Sequence, residues 1–220
     1  MNILVQYYNI RKWSLFTGII ILNIIVIWVS KTIIINETIF YNTYSEQLTI
    51  DRALLLFENL KKFSWISYIL LPIMLFIKFT LVSIVIYTGV FFYNLHYKLT
   101  FSTIFKIVVA SELIFIFAGF IKFLWFYLFA GNYDLNDIGF FYPLSLINLF
   151  KIDEVSKVWI YPLQIINLFQ VIYILSLSYG LRKIGQLNDS ESDKVVLSSY
   201  LPALGLWIVL VMFISIDAGI

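Results

Sequence analysis

Apolar residues in this chain neither alternate with polar ones nor form a one-sided stripe. They come in five long runs separated by short charged segments: Trp13–Ser30, Phe63–Tyr93, Ile107–Ala130, Val158–Gly180 and Val196–Ile216. A helix needs about 20 apolar residues, with a few more or fewer tolerated, to cross the roughly 30 Å hydrocarbon layer. Each run is long enough. The pattern predicts an all-α fold, an integral membrane bundle of five transmembrane helices, with residues 1–220 forming one transmembrane domain.

The second run is too long for one perpendicular crossing, because Phe63–Tyr93 would measure roughly 45 Å as a helix. Ahead of it, Ala53, Leu54, Phe57 and Leu60 recur at helical spacing within Leu48–Lys62. The expectation is an outer amphipathic helix feeding the second span, with Pro72 kinking or restarting that span. Arg11 and Lys12 ahead of the first run imitate a signal peptide. Trp28-Val29-Ser30 lacks a small-x-small cleavage site, however, and Ile33–Ile35 continue apolar, so an uncleaved first span is expected.

The third loop holds an internal echo. Tyr142–Phe150 reads YPLSLINLF and Tyr161–Phe169 reads YPLQIINLF, so the copies differ only at Ser145/Gln164 and Leu146/Ile165. Each carries Pro near a plausible helix start. The second copy opens span four. The first is too short to cross and is expected as a short interfacial helix. Two readings stay open. The copies are a repeated helix-start pattern, or they are half-helices lining a polar cavity faced by Asn148 and Asn167, as in broken transporter helices.

Composition agrees with the pattern. Hydrophobic residues make up 61% of the 220 and charged residues 13%, whereas soluble domains are near half apolar and about a quarter charged. The excess must be covered by lipid, so the bilayer is the first expected partner. The net charge of +2 is too small to argue for nucleic acid. The chain has no cysteine and one histidine, which removes thiolate chemistry, disulfides and a His-pair zinc site. No G-x-S-x-G elbow or G-x-x-x-x-G-K-[ST] phosphate cradle occurs. No cofactor is indicated, and the expectation is a protein that is not an enzyme.

Lys and Arg near the span ends give a small inside excess when the N-terminus is inside, so N-in, C-out is expected. Trp207 falls mid-span and is expected to pack against a neighbouring helix. Three ionisable side chains fall inside spans: Lys78, Glu112 and Lys122. A charge at mid-bilayer costs about 2.5–3.5 kcal/mol on insertion scales. Lys78 and Lys122 have long stems and are expected to snorkel outward. Glu112 cannot reach as far. It is expected on a packed face, paired with Arg182, Lys183, Lys106 or a hydroxyl, as a structural tether or as a proton- or substrate-handling carboxylate. Glu112, Lys122, Lys78, Asn148 and Asn167 are therefore the candidate polar site.

Leu99–Ile216 resembles bacterial YIP-type proteins, the family named for Ypt/Rab-GTPase-interacting proteins. The likeness lies in Thr100–Lys106 entering span three, in Asn167-Leu168-Phe169-Gln170-Val171-Ile172-Tyr173 running to Gly180-Leu181, and in Lys194–Trp207. Asn167 stands where the family commonly has Asp. The resemblance implies a five-span, non-enzymatic protein of a bacterial cytoplasmic membrane with its N-terminus inside. The functional expectation is a scaffold or accessory subunit with a membrane-protein partner or a homo-oligomer. The alternative is a small transporter or permease-type subunit with a polar cavity around Glu112.

Overall fold

The computed structural model describes residues 7–8, 10–44 and 48–217. Among these the chain forms helices and turns without a named strand; one isolated antiparallel bridge joins Ser145 and Asn167. The helices are α1 (Lys12–Ile33), α2 (Glu37–Tyr44), α3 (Ile50–Lys62), α4 (Trp65–Phe92), α5 (Phe101–Ser111), α6 (Leu113–Leu128), α7 (Leu135–Phe140), α8 (Lys157–Ile165), α9 (Leu168–Gly185) and α10 (Asp189–Asp217). Among the described residues four helical stretches are long and apolar enough to cross a membrane: α1, α4, the α5–α6 pair over Phe101–Leu128, and Asp189–Ile216 of α10.

The first two spans lie close to their expected bounds. α3 precedes α4 as the separate helix the spacing predicts, with Ala53 1% exposed as its anchor. α4 runs through Pro72 without restarting. The third begins at Phe101 rather than Ile107. Thr100 caps it by accepting from the Thr103 backbone N–H, so the polar Ser102, Thr103 and Lys106 belong to helix and not to loop. The last begins at Asp189 rather than Val196. Asn188 accepts from the Glu191 backbone N–H at 2.7 Å and Glu191 returns the bond to the Asn188 N–H at 3.1 Å, a capping box.

The run Val158–Gly180 is not one helix. α8 ends at Ile165, and Asn167, in extended backbone, caps α9. Pro162 lies inside α8 rather than opening it. The first copy of the echo is helical only over Leu146–Leu149, as a 3₁₀ turn, and the short α-helix of that loop forms just before it, at α7.

α5 is the hub of the bundle. Ile104, Ile107, Val108 and Val109 are fully buried, against α1, α4 and α9. Gly180 makes the closest approach, since a Cβ there would collide with Ile107 Cγ2. Gly89 does the same between α4 and α10, with Ser199 Cβ at 2.9 Å. Small residues of this kind let membrane helices pack where lipid offers no hydrophobic drive. Outward, Ile21, Ile25, Ile69, Met74, Leu81, Phe117, Val209 and Phe213 are all exposed. An apolar surface this continuous is a lipid-facing one.

Candidate functional site

Lys12 Nζ donates to Ser102 Oγ at 2.8 Å, which sets the starts of α1 and α5 at one level. Glu112 lies ten residues beyond Ser102, so it sits about 15 Å along the helix, near the middle of the 28-residue third span. It occupies the junction of α5 and α6. Its N–H bonds to Val109 O at 3.3 Å and its carbonyl accepts from Phe115 N at 3.0 Å, so the helix tightens locally to i→i+3 spacing.

The Glu112 side chain, 4% exposed, is held by Lys78 of α4. The ammonium lies 2.7 Å from Oε1 and 2.9 Å from Oε2 and sits 4.5 Å from the centre of the Phe115 ring. The partner is therefore none of those expected. Arg182 pairs with Asp189 at 3.2 Å, and the Lys183 ammonium lies over the Tyr179 ring, both near the far end of α9. Lys78 does not snorkel, because a fixed carboxylate within reach replaces the solvation that it would otherwise seek at the headgroups. Its side chain is nonetheless 42% exposed.

A hydroxyl network joins the same turn of α5 to α9. Ser111 and Ser176 share a hydrogen bond at 2.9 Å, and the Tyr8 hydroxyl reaches Ser176 Oγ at 3.0 Å. Tyr7 donates to Ala110 O at 3.1 Å. Tyr173 stacks on Phe115 with ring centres 4.8 Å apart, and its buried hydroxyl has no hydrogen-bond partner among the described residues. Gln170 donates to the Tyr200 hydroxyl at 2.9 Å. From the third loop, Tyr142 comes near enough that burial, and then the Glu112 charge, push its phenol up to about 12.

The five candidate residues fall in three places. Lys78 and Glu112 meet. Asn167 serves the backbone: its Oδ1 accepts from Gln170 N at 2.7 Å and its Nδ2 donates to Gln164 O and Ile165 O. Asn148 donates to Tyr142 O at 2.6 Å and lines a cavity of about 820 Å³, which Asn167 does not line. Lys122 lies elsewhere, lining a cavity of about 220 Å³ between α1 and α6. The ion pair lines neither cavity. Trp207 meets the expectation of a neighbouring helix by donating to the Tyr161 hydroxyl of α8 at 2.7 Å. Lys31, which shares the Lys122 cavity, escaped the sequence reading because it sits at a span end, where a lysine is ordinary.

With the described residues forming helices and turns, four of those helices long and apolar enough to span a bilayer, and an ion pair joining two of them along their length, the chain is an integral membrane protein. No family model, curated protein or solved structure matches it.

Proposed function

We propose that this chain is a five-crossing, YIP-like protein of a bacterial cytoplasmic membrane, N-terminus in and C-terminus out. It acts without catalysis as a scaffold or accessory subunit bound to another membrane protein or to a second copy. The carrying observation is Lys78. Its ammonium belongs to an ion pair at mid-bilayer depth, yet 42% of the side chain is uncovered. A charge there faces protein or water rather than acyl chains. A second transmembrane surface laid against α4 supplies that cover.

The fifth crossing is supported by the position of α9. It runs antiparallel to α5, with Gly180 against Ile107 and Gly185 against Leu99, and its 18 residues rise about 27 Å. Single cysteines at Asn132 and Asn188 test this on the naturally cysteine-free chain. An impermeant thiol reagent should reach Asn132→Cys from outside and Asn188→Cys only from inside. Labelling of both from one side would remove the fifth crossing.

The association itself is tested by placing a photocrosslinking residue at Met74, one turn from Lys78, and irradiating native membranes. A single discrete adduct, with this chain or another membrane protein, is the expected result. Crosslinking to lipid alone, together with recovery of a lone monomer in native lipid discs, would refute the reading.

A competing reading, a small permease-type subunit, is favoured by the meeting of Lys78 and Glu112 beside a broken helix. It requires water at the pair. Absence of polar-reagent labelling along a cysteine scan of Ala110–Phe126 around Glu112 would eliminate it.

A further inference from the structure

Two lysines share one apolar cleft. The cavity of about 220 Å³ between the C-terminal half of α1 and α6 is lined by Val26, Ile27, Ser30, Phe126 and both Lys31 and Lys122. No carboxylate lines it among the described residues. Lys31 donates to Ser67 Oγ at 3.2 Å, a neutral partner, and Lys122 has no hydrogen-bond or ion-pair partner among the described residues. The neighbouring acids of α7 are occupied: Asp134 and Asp137 close a capping box on each other's backbone N–H. The Lys31 ammonium also lies 5.6 Å from the centre of the Tyr68 ring, so neither cation of this greasy cleft is paired with an anion among the described residues.

Depth says which anion. Lys12 and Ser102 are level. Lys31 stands 19 residues above the first and Lys122 stands 20 above the second, so both lie about 30 Å up, at the headgroup boundary. The cleft below is floored at Gly119, where a Cβ would touch Val26 Cγ1 at 3.4 Å. At roughly 30 Å³ per water, the cavity has room for a phosphodiester and its glycerol, with acyl chains continuing down the α1–α6 groove.

We infer that this cleft binds an anionic phospholipid, its phosphate bridged by Lys31 and Lys122. Lysine ammoniums bind phosphate as point charges, through charge-assisted hydrogen bonds. The inference does not depend on the scaffold reading, because the cleft lies apart from the Lys78–Glu112 pair.

The test is native mass spectrometry of the purified full chain, with phosphatidylglycerol, phosphatidylcholine and inorganic phosphate as separate probes. Phosphatidylglycerol should be retained about tenfold better than phosphatidylcholine, which corresponds to about 1.4 kcal/mol. Lys31→Gln with Lys122→Gln should bring it down to the phosphatidylcholine level. Lys61→Gln with Lys62→Gln, at the end of α3, should leave it unchanged. Gly119→Val keeps both charges, fills the cleft and should also lower retention, which covers the case in which the double lysine variant does not fold. Equal retention of the two lipids, or indifference to the Lys31/Lys122 and Gly119 changes, would overturn the assignment. So would competition by inorganic phosphate at equal concentration, which would mark a free-anion site.

Discussion

The Lys78–Glu112 pair makes an asymmetric prediction. Removing Lys78 as Lys78→Met leaves a carboxylate that is 4% exposed and whose oxygens take no other hydrogen bond among the described residues. Breaking a buried pair from one side costs about 3–5 kcal/mol. Removing the acid as Glu112→Gln is different. The amide oxygen still accepts from the ammonium, and Lys78, 42% exposed, has a stem long enough to turn toward a headgroup. That change loses about 1.5–3 kcal/mol, the value of a hydrogen bond to a charged group. The double variant Lys78→Met with Glu112→Leu leaves no charge and should be within about 1 kcal/mol of the native protein, since apolar replacement of a whole buried pair is often neutral.

The assay is reversible unfolding in mixed micelles, followed by Trp fluorescence and read as midpoint shifts. The expected order of loss is Lys78→Met, then Glu112→Gln, then the double variant. If Lys78→Met were silent, or if the double variant lost as much as Lys78→Met alone, the pair would not be a coupled tether and its assigned geometry would be wrong.

Gly180→Val should destabilise by about 1–3 kcal/mol or more through overpacking against Ile107, while Gly18→Ala, with nothing within 4 Å of its Cβ, should be neutral or slightly stabilising in the same unfolding assay. Asn167→Ala removes the α9 cap and should cost about 0.5–2 kcal/mol; a larger loss would mean that its two bonds to Gln164 O and Ile165 O also hold the break. Leu144 sits at φ 53°, a left-handed backbone that costs a non-glycine residue about 1–2 kcal/mol. Leu144→Gly should therefore stabilise by up to about 1 kcal/mol once the flexibility of glycine is subtracted, and a clear loss would show that the leucine side chain holds the loop.

The membrane character of the chain was legible because hydropathy integrates over many residues and lipid leaves helices few alternatives. Helix starts were less legible. Thr100 and Asn188 are caps whose signals, Thr100–Thr103 and Asn188–Glu191, occupy only a few residues at segments judged by polarity. The meeting of Lys78 and Glu112 was not legible. Each was visible as an intramembrane charge, but they lie 34 residues apart on different helices, and no periodicity says which helix faces which. The break at Asn167 was visible only in part: the echo drew attention to it, but the apolar side chains of Ile165, Ile166 and Leu168 read as continuous span.

That break follows from a backbone requirement. Where a helix is interrupted near a bilayer, the freed N–H and C=O groups must find protein partners. Here the two copies of the echo supply each other. Leu146 N donates to Ile166 O at 3.0 Å and Leu168 N donates to Leu144 O at 3.1 Å, closing the Ser145–Asn167 bridge. The copies adopt different shapes to do so. In the second, YPLQI is helix and its Asn caps α9. In the first, Pro143 and left-handed Leu144 make a turn, and Ser145 Oγ and Asn148 Nδ2 both bond back to Tyr142 O. Near-identical peptides thus act as lock and seat. The α8–α9 interruption needs the third loop folded against it, and the same loop sets Tyr142 toward Glu112. A change that opens the bridge should therefore be felt at the ion pair as well as at α9.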